Sequence, residues 1–106
     1  MLVAFLNDDA RLLLAVTLDE GTESIDELFL RHLTALVVEV GVAGVVLAVS
    51  RAAGRPTRVD RQLWREMSRR LATTATRLVD VIAVGDDAVW SMSGRRAIGD
   101  RTGRVA

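Results

Sequence analysis

Apolar residues along the chain fall into short runs whose spacing alternates between the period of strands and that of helices. Leu2-Val3-Ala4-Phe5-Leu6 reads as a buried strand, and the turn formers Asn7-Asp8-Asp9 follow it. A second apolar run from Arg11 to Thr17 completes a hairpin, which Gly21-Thr22 ends. Ser24 stands three residues before Glu27, the spacing at which each side chain satisfies an orphan backbone N–H of the other at a helix start. The helix predicted over 24–41 carries Ile25, Leu28, Phe29, Leu33, Leu36, Val37 and Val40 at helical spacing, with Gly41 as its stop.

Val45 to Val49 is a continuous apolar run rich in β-branched residues, the pattern of a central strand covered on both faces. A loop from Ser50 to Arg58 holds Gly54 and the sole proline, Pro56. A second helix is predicted over 58–77, with Leu63, Met67, Leu71, Ala75 and Leu78 on one stripe. Leu78 to Val84 reads as a strand, Gly85-Asp86-Asp87 as a tight turn and Val89 to Met92 as a last strand. This order predicts an α/β fold: one domain over 1–93, a mixed β-sheet flanked by helices, with Val45, Leu47, Leu71 and Ile82 buried. The tail, 94–106, has little to bury and is expected to be flexible.

Composition narrows the chemistry. With 106 residues, half of them hydrophobic, the chain suits a single core and not a disordered segment. The absence of cysteine excludes disulfides, thiolate metal sites and a cysteine nucleophile. The longest apolar run, Val40 to Val49, is too short to span a bilayer and is broken by Gly41 and Gly44. No secretory signal opens the chain, so a cytoplasmic location and no membrane partner are expected. Net charge is zero but unevenly spread: 1–50 hold two arginines against eight acids, a net −6, and 51–106 hold twelve arginines against six acids, a net +6. There is no lysine. Such a division favours docking through opposite charges, so a protein partner or self-association is expected.

From the central strand onward a family pattern is visible. Val45-Val46-Leu47-Ala48 is followed by Gly54, then Pro56-Thr57-x-x-Asp60, a helix with Ser68-Arg69-Arg70-Leu71, Leu78-Val79-Asp80 and Val84-Gly85-Asp86. Upstream stand Phe5-Leu6-Asn7, Gly21-Thr22 and Glu27-Leu28-Phe29. Together, over about residues 3 to 93, these resemble the JAB/MPN metalloprotease superfamily, in its bacterial RadC-like branch. The resemblance implies a JAB/MPN-like fold with cytidine-deaminase-like layers. It also implies a zinc ion held by two histidines and an aspartate, with a glutamate on an upstream strand activating the bound water. Here the two histidine positions fall at Val49 and Arg51, the glutamate position near Val16, and the aspartate at Asp60. A catalytic zinc needs three protein ligands and an open position. No metal, no cofactor and no catalytic residue are therefore expected, and the chain reads as a pseudoenzyme.

The remaining residues are weighed one at a time. Asp60 is either a relic of a metal ligand or a first-turn acid, with Thr57 as the helix cap; capping explains the pair without a metal. His32 is the single histidine and matches neither ligand position. Ser50 and Ser91 lack a relay that would make either a nucleophile. Trp90 reads as sheet packing, and Trp64, at the margin of the helix stripe, is a candidate interface residue. Arg51, Arg55, Arg58 and Arg61 gather around a strand end and a helix N-terminus, a setting that suits an anion or an acidic partner; the plainer reading is a solvated charged face. Three function classes follow. The first is a catalytically inactive domain serving as a protein-binding or assembly module. The second is an anion- or nucleic-acid-binding protein, or a DNA-repair-associated accessory protein, using the arginines. The third, an active hydrolase, runs against the residue inventory. Nucleic acid is weakly supported, given zero net charge and no aromatic platform accompanying the arginines.

Overall fold

The computed structural model describes residues 1–18, 26–51, 56–86, 88–93 and 99–100. Among these, the elements in chain order are β1 (Leu2–Leu6), β2 (Leu12–Thr17), α1 (Glu27–Val40), β3 (Gly44–Ser50), α2 (Arg58–Leu71), β4 (Arg77–Val84), β5 (Ala88–Ser91) and β6 (Gly99–Asp100). The strands form one sheet in the order β2-β1-β3-β4-β5-β6. β3 and β4 are parallel and joined by α2, while the other neighbouring pairs are antiparallel. This is the mixed-sheet α/β domain that the order of apolar runs predicts, with β3 inside the sheet. No helix among the described residues is long and apolar enough to cross a membrane.

The core lies on one face of the sheet. Val3 and Phe5 of β1, Val45, Leu47 and Val49 of β3, and Leu78, Val81 and Ala83 of β4 meet Leu30, Leu33 and Val37 of α1 and Leu63, Met67 and Leu71 of α2. Both helices therefore share that face. Val46 and Ala48 point the other way and are only half-buried, so β3 is not covered on both faces as its unbroken run suggested.

Four expectations are corrected in detail. α1 starts at Glu27, with Asp26 as the cap whose Oδ1 accepts from the Phe29 N–H at 2.8 Å; Ser24, Ile25 and Gly21-Thr22 lie outside the described residues. Leu28 is exposed, because Leu30, Leu33 and Val37 set the inward stripe and Leu28 stands about 200° around the helix from Leu30. α2 ends at Leu71, not at residue 77. The Thr74 hydroxyl donates to the carbonyls of Leu71 and Thr76, closing a turn in which Ala75 is exposed, and Leu78 passes to β4. Ile82 is half-buried because of a β-bulge: Leu78 pairs with Val45, but Asp80, not Val79, pairs with Val46. The extra residue turns Val81 and Ala83 toward the core and Ile82 away from it.

Gly41 terminates α1 in the left-handed region at φ 67°, its N–H bonded to the Val37 carbonyl, as a glycine at this position should. Gly44, opposite Leu6 on β1, has no room for a Cβ, which would sit 2.9 Å from Cγ2 of the bulged Val79. At the far edge, β6 pairs with β5 through Ala88–Asp100 and Val89–Gly99; the rest of the predicted tail lies outside the described residues.

Candidate functional site

The end of β3 and the start of α2 are brought together by the parallel β3-α2-β4 crossover. Arg51 directly follows β3, and its N–H donates to the Val84 carbonyl at 2.9 Å, fixing the strand end against β4. Thr57 caps α2. Its hydroxyl accepts from the Asp60 N–H at 3.3 Å, while Asp60 Oδ2 accepts from the Thr57 N–H at 2.9 Å, a reciprocal capping box. The box turns the Asp60 carboxylate back toward the strand end, where Arg51 meets it. Arg51 Nε donates to both carboxylate oxygens at 3.1 Å, and Nη2 donates to Oδ1. The Asp60 side chain is 1 % exposed and that of Arg51 is 14 % exposed.

A charged pair this deep persists only when its hydrogen bonds are well made, and this one has the needed set: guanidinium on both oxygens, backbone N–H on one, and the positive end of α2 behind it. Arg51 is thereby committed within the protein. It is not available as one of the anion-binding arginines among which the sequence places it, and Asp60 pairs with it in preference to Arg58 or Arg61. Arg55 lies outside the described residues.

The donor set does not fit the zinc that the resemblance implies. Val49 is buried and offers no ligand atom, and the Arg51 guanidinium has no lone pair to give a metal. Both Asp60 oxygens are already occupied by N–H donors. Val16 is half-buried at the glutamate position. Among the described residues, no three His, Cys, Asp or Glu side chains are grouped to hold a metal ion. The guanidinium makes its contacts with Asp60, the one residue of a ligating type at the positions the resemblance implies.

Residues 1–97 match the family described as RadC-like JAB domain. The chain belongs to that family. Its relatives include a UPF0758 protein of Shewanella amazonensis, 30% identical over 99 residues, which cover 92% of this chain and 44% of the relative. The chain thus spans less than half the length of that protein.

Beside the ion pair of this RadC-like JAB domain lies a groove of about 630 Å³, lined by Pro56, Arg61, Trp64, Arg65, Ser68, Ser91 and Met92. Arg61, Trp64, Arg65 and Ser68 stand at spacings of three and four along α2, so one helix face supplies one wall. Trp64 is half-buried against the core. Farther along α2 the arginines are engaged: Arg69 Nη2 donates to Glu66 at 2.6 Å, and Arg70 Nη2 donates to Glu27 of α1 at 2.7 Å. The hydrogen bond from Arg70 holds the Glu27 carboxyl below its ordinary range, and the bond from Arg69 does the same for Glu66. A depressed carboxyl value means that these pairs contribute fully above the usual glutamate range and fade as pH falls through it. Arg58, Arg61 and Arg65 have no carboxylate at salt-bridge distance among the described residues. His32 is exposed on α1, and the structure gives it no part in either arrangement.

One polar centre was not anticipated. Asp80, 5 % exposed on β4, accepts from the N–H groups of Val81, Met92 and Ser93 and from the Ser91 hydroxyl. It pins the end of β5, and with it the Ser91-Met92 wall of the groove, to β4. The sequence signal was a carboxylate inside a β-branched strand, which must find donors when buried.

Proposed function

We propose that this RadC-like JAB domain is a catalytically inactive member of its family that serves as a protein-binding or assembly module. The observation that supports this reading is the Arg51–Asp60 pair. A cation supplied by the chain itself sits on the aspartate that would hold the metal, and the two histidine positions carry valine and arginine. Zinc-assisted hydrolysis needs the ion to acidify a water and polarise a carbonyl. Arginine cannot supply the nucleophile, since its guanidinium keeps its protons and binds no hydroxide. The same residues can hold a shape: strand end, helix start and groove wall are locked together around one buried ion pair.

The test is turnover of peptide-bond and isopeptide-bond substrates with zinc supplied in the assay. The expected result is hydrolysis at the uncatalysed background, identical for the wild type and for Asp60→Asn. Turnover by the wild type that Asp60→Asn abolishes would overturn the reading.

A further inference from the structure

We infer that the groove between α2 and the end of β5 binds an extended acidic segment of a partner protein, with Arg61 and Arg65 as the residues that read its carboxylates. The inference rests on the binding-module reading and names the ligand class and the site. Three observations carry it. Arg61 and Arg65 both line the groove, and neither has a carboxylate at salt-bridge distance among the described residues, although every other α2 arginine from Arg69 onward has one. Two cations four residues apart on a helix repel each other, and an anionic occupant reverses the sign of that interaction. Trp64 and Met92 add apolar lining to the same groove, and Ser68 adds a hydroxyl.

Spacing selects an extended peptide. Helix positions i and i+4 are about 6 Å apart along the axis, and alternate side chains of a β-extended peptide are separated by roughly 6–7 Å. Carboxylates at alternate positions of such a peptide therefore come into register with Arg61 and Arg65, and the intervening apolar side chains point to the other side of the peptide, where Met92 at the end of β5 lines the groove. A nucleic-acid strand is the poorer fit. Trp64 does give the arginines an aromatic neighbour, but Arg69 and Arg70 are neutralised by Glu66 and Glu27, so the positive stripe stops after two turns of α2, and the chain carries no net charge. A strand tracked by its phosphates needs a longer run of cations.

The probe is a fluorescein-labelled, end-blocked peptide with glutamates alternating with leucines, titrated by anisotropy against the 106-residue chain, beside a lysine-for-glutamate peptide and a labelled oligo-dT. The expected result is saturable binding of the glutamate peptide that weakens with salt and is about tenfold or more weaker for each of Arg61→Ala and Arg65→Ala. Circular dichroism should show both variants folded, since each side chain is exposed. The Arg61→Glu/Arg65→Glu variant should lose the glutamate peptide and gain the lysine peptide, which no loss of folding can mimic. Equal binding by wild type and variants, no saturable binding at low salt, or tighter binding of oligo-dT than of the glutamate peptide would each overturn the proposal. So would self-association of the chain that depends on Arg61 and Arg65 in the absence of peptide binding, which would assign the groove to a second copy. These outcomes leave the non-catalytic reading standing, because that reading is decided by substrate turnover alone.

Discussion

Replacing Arg51 by leucine is expected to cost about 3–5 kcal/mol of folding stability, because it leaves the Asp60 carboxylate buried without its cation. Asp60 is fully buried in the folded protein, and after the substitution the Thr57 backbone N–H is the one donor to its carboxylate that remains among the described residues. Asp60→Asn in the same background should recover a substantial part of the loss. It removes the uncompensated charge while keeping an oxygen for the Thr57 N–H and hence the capping box. Urea unfolding of wild type, Arg51→Leu, Asp60→Asn and the double variant closes a cycle whose coupling term isolates the pair. Additive losses would mean that the two side chains do not depend on one another, and the account of this strand end would fail.

The second large effect is expected at Asp80. In Asp80→Ala the Val81 N–H loses its acceptor and the Ser93 N–H and Ser91 hydroxyl lose their carboxylate partner, while the Met92 N–H keeps the Val81 carbonyl at 2.8 Å. An unsatisfied buried donor costs about 1–3 kcal/mol. Ser93 is half-buried, so water can partly replace the carboxylate there, and the Ser91 and Ser93 hydroxyls still meet, so the net loss should be about 3 kcal/mol. Asp80→Asn should fall between the two, since its carbonyl oxygen can still serve the N–H groups. Hydrogen exchange gives the local readout: the Val81 and Ser93 amides should exchange far faster in Asp80→Ala, while those of β1 report the global loss alone. Unchanged stability with unchanged protection at 81 and 93 would show that Asp80 is not the anchor of β5.

These two residues also mark where sequence reading succeeds and where it stops. The β1–β2 hairpin, the β3 run, the Thr57-x-x-Asp60 start of α2 and the Gly41 stop are local signals, and local physics is enough to read them. The phase of β4 is not local. Leu78 to Val84 is apolar on both sides of Asp80, so nothing in the run shows that Val79 bulges out and turns Ile82 away from the core. The partner of Asp60 is equally hidden. Seven arginines lie between 51 and 70, and Arg58 and Arg61 are the nearer in sequence. Helix geometry points the capping carboxylate back toward β3, and only the crossover that returns α2 over the sheet puts Arg51 there. The groove required the same tertiary information, because Ser91 and Met92 reach α2 through the β4–β5 hairpin. What the resemblance implies at the ligand positions, a valine at 49 and an arginine at 51 in place of histidines, comes from the family pattern and not from the structure.

The central claim is that Arg51 stands where the family holds its metal, and metal content tests it most directly. Protein purified without a histidine tag, exchanged into zinc-containing buffer and then desalted, is measured by elemental analysis alongside Val49→His/Arg51→His, which supplies both missing ligands and releases Asp60. The account predicts no stoichiometric zinc in the wild type and retained zinc in the double variant, lost again when Asp60→Ala is added. One tightly held zinc per chain in the wild type, lost in Asp60→Ala, would contradict it.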